Sequence, residues 1–173
     1  MADFYIKVLK EVNGLKFGSK PSEVHKVLGA NFKKNSSELS DSSKDFLLEV
    51  SKKMAEMSGR PLEDFTKYDK YDEFDSDTSD YYPDCKIEYD DNDLFESIEI
   101  YSDKHSKLII NGKDYSDFNL KSLLTLTDDF VCEENNTLFR SYSSQISIWC
   151  PDGDDRVECI LFGKSGYFQN YLG

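Results

Sequence analysis

After Pro83 the chain alternates apolar and polar residues with a period of two. Cys85-Lys86-Ile87-Glu88-Tyr89 reads as a strand and Asp90-Asp91-Asn92-Asp93 as a turn. Phe95 to Tyr101 is then a second strand with Ile98 and Ile100 facing inward. Lys107 to Ile110 is a third, closed by Asn111-Gly112, a strong reverse-turn pair. The same alternation predicts strands around Phe130 to Glu133, Leu138 to Tyr142, Gln145 to Trp149 and Val157 to Phe162. Ile98, Ile100, Leu123, Leu124 and Trp149 are the expected core.

Helical spacing governs other stretches. Pro21 suits a first helical turn, Ser19 or Ser22 can cap it, and Gly29 ends it, with Val24, Val27 and Leu28 as its buried stripe. His25 beside that stripe reads as a lone surface histidine. Ser42 to Met57 is predicted as an amphipathic helix burying Phe46, Leu47, Val50, Met54 and Met57, stopped by Gly59 and Pro61. Ser116 or Asn119 caps a third helix carrying Leu120, Leu123, Leu124 and Leu126. Phe4 to Val12 fits a short helix or a strand equally well. Tyr167, Phe168 and Tyr171 are expected to anchor the C-terminal run.

These elements predict an α+β fold: an antiparallel sheet of six to seven strands with two or three helices on one face. Residues 91–101 (DNDLFESIEIY) echo residues 153–163 (GDDRVECILFG), each an acidic turn followed by alternation, and each is preceded by a strand and, further back, a helix. That is the pattern of two helix-plus-hairpin halves within one domain of residues 1–173. Residues 31–83 then stand out as a helical insert ending in an acidic aromatic loop.

That loop, FTKYDKYDEFDSDTSDYYP from Phe65 to Pro83, sets the functional expectation. It interleaves Asp69, Asp72, Glu73, Asp75, Asp77 and Asp80 with Tyr68, Tyr71, Phe74, Tyr81 and Tyr82. Repelling carboxylates resist compaction while aromatic rings resist exposure, so the stretch is frustrated on its own. A partner with a basic, ring-accepting surface relieves both, the rings supplying buried area and the carboxylates steering. The plainer alternative is a solvated loop on a structural subunit.

The totals narrow the field. The net charge of −13 over 173 residues repels nucleic acid and anionic membranes and attracts basic proteins. No stretch approaches the roughly 18 apolar residues of a membrane span. The opening MADFYIKVLKEVNG lacks the marks of a signal peptide, so a cytoplasmic location is expected. Twelve Phe and eleven Tyr can fill a core despite 38% hydrophobic content.

No enzymatic chemistry stands out. There is no nucleophile elbow, phosphate-cradling glycine loop or H-E-x-x-H, so catalysis is not expected; a carboxylate-dependent small hydrolase or a metal-binding protein is the alternative. Four cysteines without a C-x-x-C pair and two histidines argue against zinc. Spacing would allow Cys150 and Cys159 to pair, although reduced thiols suit a cytosolic protein better. Asp75 to Asp80 supplies oxygens at alternate positions, but an EF-hand needs Gly and Glu where Asp80 and Lys86 stand. No cofactor or metal is therefore expected.

Three segments carry a resemblance: GLKFGSKPSEVHKVLG (14–29), IEYDDNDLFESIEIY (87–101) and ISIWCPDGDDRVECILF (146–162). Together they resemble small cytoplasmic immunity-like proteins encoded beside bacterial polymorphic toxins. The first is also similar to the repeat unit of β-lactamase-inhibitor-like domains, which bind proteins through a sheet. The resemblance implies stoichiometric binding and neutralisation of a cognate toxin, without catalysis. With the charge, it leads to the expectation of a basic toxin, such as a nuclease, whose active cleft the acidic aromatic stretch occludes.

Overall fold

The alternation of Phe4 and Ile6, both buried, with exposed Asp3, Tyr5 and Lys7 decides the ambiguous N-terminus in favour of a strand, β1 (Asp3–Lys7). In the computed structural model, which describes residues 3–35, 52–53, 55–59, 61, 79–102, 107–133, 136–151 and 155–171, β1 turns back through β2 (Glu11–Val12) and β3 (Leu15–Lys16). The Asn13 side chain ties the β2–β3 turn back to β1, accepting from the Tyr5 amide at 2.7 Å and donating to the Asp3 carbonyl at 3.0 Å. Helix α1 (Pro21–Leu28) follows, and β4 (Lys33–Asn35) comes next.

Proline opens α1 as predicted, but neither serine caps it. Instead the Glu23 carboxylate accepts the Lys20 amide at 3.0 Å, and Gly29 ends the helix at φ 92°. Of the expected stripe Val24 is fully buried, Leu28 is half-buried, and Val27 faces solvent. So short a helix rests on its neighbours along a single line of side chains.

The remaining strands are β5 (Ser79–Tyr81), β6 (Cys85–Tyr89), β7 (Phe95–Tyr101), β8 (Lys107–Ile110) and β9 (Lys113–Asp114). Helix α2 (Leu120–Leu123) leads to β10 (Val131–Glu133), β11 (Leu138–Ser141), β12 (Ile146–Trp149) and β13 (Cys159–Gly163). Asn119 caps α2 as expected, its side chain accepting the Ser122 amide at 3.1 Å. The fold is α+β with antiparallel-rich sheets and few helices, and its strands divide between two sheets. One runs β3-β2-β1-β8-β9 and the other β10-β11-β12-β13-β7-β6-β5-β4. The β1–β8 contact is parallel, whereas every pairing in the larger sheet is antiparallel.

The element order repeats. A strand and its return in the small sheet, a helix, then a four-strand meander in the large sheet occur twice, as β1–β7 and as β8–β13. The meanders meet at β7 and β13, the two strands of the sequence echo, with Ile98 opposite Phe162 and Ile100 opposite Ile160. Echo-matched residues therefore exchange partners, as a local twofold between the hairpins would have it. Where the second half goes directly from β10 to β11, the first carries residues 36–78 between β4 and β5. These two strands pair, Asn35 with Ser79, so that segment leaves and re-enters at one sheet edge.

The small sheet, the helices and one face of the large sheet enclose a common core. It joins Phe4, Ile6 and Leu108 to Val24, Leu123, Ile98, Ile100, Ile148 and Phe162. Phe95 fastens the entry to α1 onto β7: its ring stacks on Phe17 at 4.9 Å, its carbonyl accepts from Gly18 and its amide donates to Ser19. Two expectations need correction. Trp149, assigned to the core, is 42% exposed, because inward Ile146 and Ile148 put it on the opposite face. Met57 is exposed at the end of a helical stretch at 55–58, while Phe46, Leu47, Val50 and Met54 lie outside the described residues. Cys150 and Cys159, by contrast, are buried free thiols as the sequence favours, while Cys132 is exposed.

On the other face of the large sheet the 3-10 turn Tyr167–Tyr171 folds back over β13. Gly163 permits this approach, since a Cβ there would lie 2.6 Å from Tyr167 Cβ. The Tyr167 hydroxyl donates to Glu88 at 2.5 Å, and the Gln145 side chain accepts the Phe168 amide at 2.7 Å. Burial works against the charged Glu88, but hydrogen bonds from Lys86, Tyr167 and Ser97 hold its carboxyl below the ordinary 4.5. Asp90 follows the same balance: burial opposes its charge, and Lys164 with the Asn92 and Leu94 amides overcomes it. Glu96, also beside Lys164, is raised because burial prevails.

A depressed carboxyl contributes stability that is complete above its unfolded value and fades as pH falls through its folded one. The Glu88 and Asp90 contributions should thus be lost progressively below about pH 4.5, with Glu96 opposing the loss in part. Urea unfolding measured from pH 7 to pH 3 should show a falling midpoint, and Glu88→Gln should flatten the acid limb. An unchanged limb in that variant would assign acid sensitivity elsewhere.

Candidate functional site

Of the residues expected to meet a partner, Tyr68, Asp69, Tyr71, Asp72, Glu73, Phe74, Asp75 and Asp77 lie outside the described residues. Asp80, Tyr81 and Tyr82 fall on β5 and the turn after it, and the strand separates them. Tyr81 is 37% exposed, whereas Asp80 and Tyr82 are buried. The register explains it: Asp80 lies opposite inward Ile87, and Tyr81 opposite outward Lys86. Asp80 and Tyr82 are therefore structural in this fold, which corrects their placement on a docking surface.

Asp80 is satisfied by distant partners. Its Oδ2 accepts from the Tyr89 hydroxyl at 2.6 Å and lies 2.6 Å from His25 Nε2. The His25 ring stacks on Phe32 with centroids 4.2 Å apart, and the Tyr82 hydroxyl donates to the Gly29 carbonyl at 3.2 Å. His25 is thus no lone surface histidine but one end of a strut from α1 to β5. Burial, reinforced by Asp80, raises the Tyr89 phenol and keeps it a donor. Burial also pushes the nearby Cys85 thiol up to about 12, so it stays protonated at neutral pH.

Among the described residues, the large sheet is open on part of the face away from the core. Side chains alternate across it in register: Trp149 on β12, Cys159 on β13 and Tyr101 on β7 form one row. Ser147, Leu161, Glu99, Lys86 and Tyr81 form the next. The C-terminal turn covers the following row, at Gly163, Ser97 and Glu88. Among the described residues, Trp149 and Tyr81 are the exposed rings on this face, and Lys86 lies 5.7 Å above the Tyr81 ring while pairing with Glu88.

Between Trp149 and Tyr101 the surface sinks into a cleft of about 530 Å³. Cys159 forms its floor; Glu99 and Glu158 supply carboxylates, and Arg156, Pro83 and Ser102 complete the lining. Burial raises the Cys159 thiol, and Glu99 and then Glu158 add to the effect. Tyr101 is raised by burial first and then by Glu99. The rings are held by a continuous ladder, so little side-chain freedom remains to be lost when something docks on them. Among the described residues no group of His, Cys, Asp and Glu is arranged to hold a metal ion, and no helix is long and apolar enough to cross a membrane.

Sequence reasoning missed Trp149, Tyr101, Glu99 and Glu158 as site residues. The signal was present in the phase of the alternation, which turns Trp149, Tyr101 and Glu99 away from the isoleucines. Compared with known proteins, the chain matches no protein-family profile, no curated protein and no solved structure.

Proposed function

We propose that this chain binds and neutralises a basic protein, in the manner of an immunity protein acting on a toxin in the cytoplasm, and that it docks through the open face of its large sheet. The observation that carries the reading is Trp149, a large ring 42% exposed on a rigid strand, beside an acidic cleft in a chain of net charge −13. Tryptophan and tyrosine in desolvated pockets dominate binding energies, and opposite net charge accelerates encounter. The sheet face also fits the resemblance of residues 14–29 to domains that bind proteins through a sheet.

The acidic aromatic stretch keeps a part in this reading. It rejoins the sheet at β5, where Tyr81 looks out on the same face as Trp149. Its carboxylates would add steering toward a positive surface, and its rings further contact area. Binding by occlusion of the partner's active cleft needs no catalytic group on this side.

The test is to mix the chain with the basic product encoded beside its gene and measure association by calorimetry and the partner's toxicity in cells. The expected result is a complex that suppresses toxicity and weakens at least about tenfold between about 0.05 and 0.5 M salt, as screening shortens the Debye length. Absence of association, or association indifferent to salt and to Trp149, would defeat the proposal.

A further inference from the structure

We infer that the cleft between Trp149 and Tyr101 takes one arginine side chain of the basic partner, with the two rings as walls and Glu99 and Glu158 as counter-charges. This rests on the docking reading above and names the chemistry at its centre. Trp149 and Tyr101 stand in register on the strands either side of β13, with the short Cys159 side chain between them. Neighbouring strands are about 4.8 Å apart, so the two backbone positions are about 10 Å apart, across one short side chain. A planar group needs about 3.5–4 Å to each ring it stacks on, so one layer fits between such walls.

Charge selects the layer. Glu99 and Glu158 against Arg156 leave the lining one negative charge in excess. Glu99 lines the same cleft as the floor thiol, one row along the sheet on the strand that carries Tyr101, which puts a carboxylate beside the slot. A guanidinium is planar, weakly hydrated, stacks on aromatic faces and meets carboxylates with paired N–H donors. An ammonium is compact and strongly hydrated, so it gains less between two rings.

The chain's single tryptophan is Trp149, so its emission reports this cleft alone. The full chain is titrated at constant ionic strength with Nα-acetyl-arginine methylamide, its lysine counterpart and its citrulline counterpart, a neutral isostere. The expected result is a saturable change with the arginine compound, binding at least about tenfold weaker for citrulline, and lysine in between. Glu99→Gln and Glu158→Gln, each checked for unchanged circular dichroism, should each weaken the arginine compound about threefold or more. No saturable change, equal binding of citrulline, or indifference to both substitutions would overturn the inference. If the arginine compound fails while the basic protein still needs Trp149, the docking reading stands and this one falls. If the compound binds but no basic protein does, the reverse holds.

Discussion

Asp80→Ala will lower the unfolding free energy by about 3 kcal/mol, more than removal of any solvated carboxylate should. The side chain is 2% exposed and serves two partners through one oxygen, the Tyr89 hydroxyl and His25 Nε2. Tyr89 is itself buried, so alanine leaves its hydroxyl with neither water nor an acceptor, and that alone costs about 1–3 kcal/mol. The His25 end loses its anchor as well, releasing α1 from β5. Asp80→Asn keeps an acceptor for Tyr89 and should lose about half as much. Tyr89→Phe removes one donor with its ring in place and should cost about 1 kcal/mol. Urea unfolding of the three variants checks the order, and a loss below about 1 kcal/mol in Asp80→Ala would deny the strut its role. Amide exchange should quicken at Tyr81 on β5 before Ile148 on β12, because the strut ties down only the strand where residues 36–78 rejoin the sheet.

The same residue marks the boundary of what the sequence could tell. An aspartate in an acidic run reads as solvated, and nothing nearby announces that a histidine and a tyrosine from other elements will claim it. Alternation, by contrast, is local and sufficient: Cys85–Tyr89, Phe95–Tyr101 and Lys107–Ile110 form strands with the bounds their pattern predicts, and Ile98, Ile100 and Leu123 are fully buried. The small sheet was beyond reach for the opposite reason. Its strands β2, β3 and β9 are two residues long, too short to alternate, and its centre is a parallel pairing of Phe4 with Leu108 and Ile6 with Ile110. Such a contact is set by tertiary packing rather than by neighbours in the chain. Trp149 was legible and misread: residue type argued for the core, but the phase set by Ile146 and Ile148 argued for solvent, and a strand obeys phase.

That misreading directs the second large effect. Trp149→Ala should weaken the complex with the basic partner by about 2 kcal/mol, roughly thirtyfold, while changing the chain's own stability by no more than about 0.5 kcal/mol. The two numbers separate because the ring is 42% exposed and its strand is secured on the other face by Ile146 and Ile148, both 0% exposed. Trp149→Phe retains a ring of smaller area and should fall between alanine and the parent. Tyr5→Ala is the matched control: Tyr5 is 49% exposed on β1 of the small sheet, so affinity should not change. A pairing of Trp149→Ala with Glu99→Gln should lose less than the sum of the two, since both act on the same cleft. Loss of affinity on Tyr5→Ala with none on Trp149→Ala would move the docking surface to the small sheet, because Tyr5 is exposed on β1 and Trp149 on β12 of the other sheet.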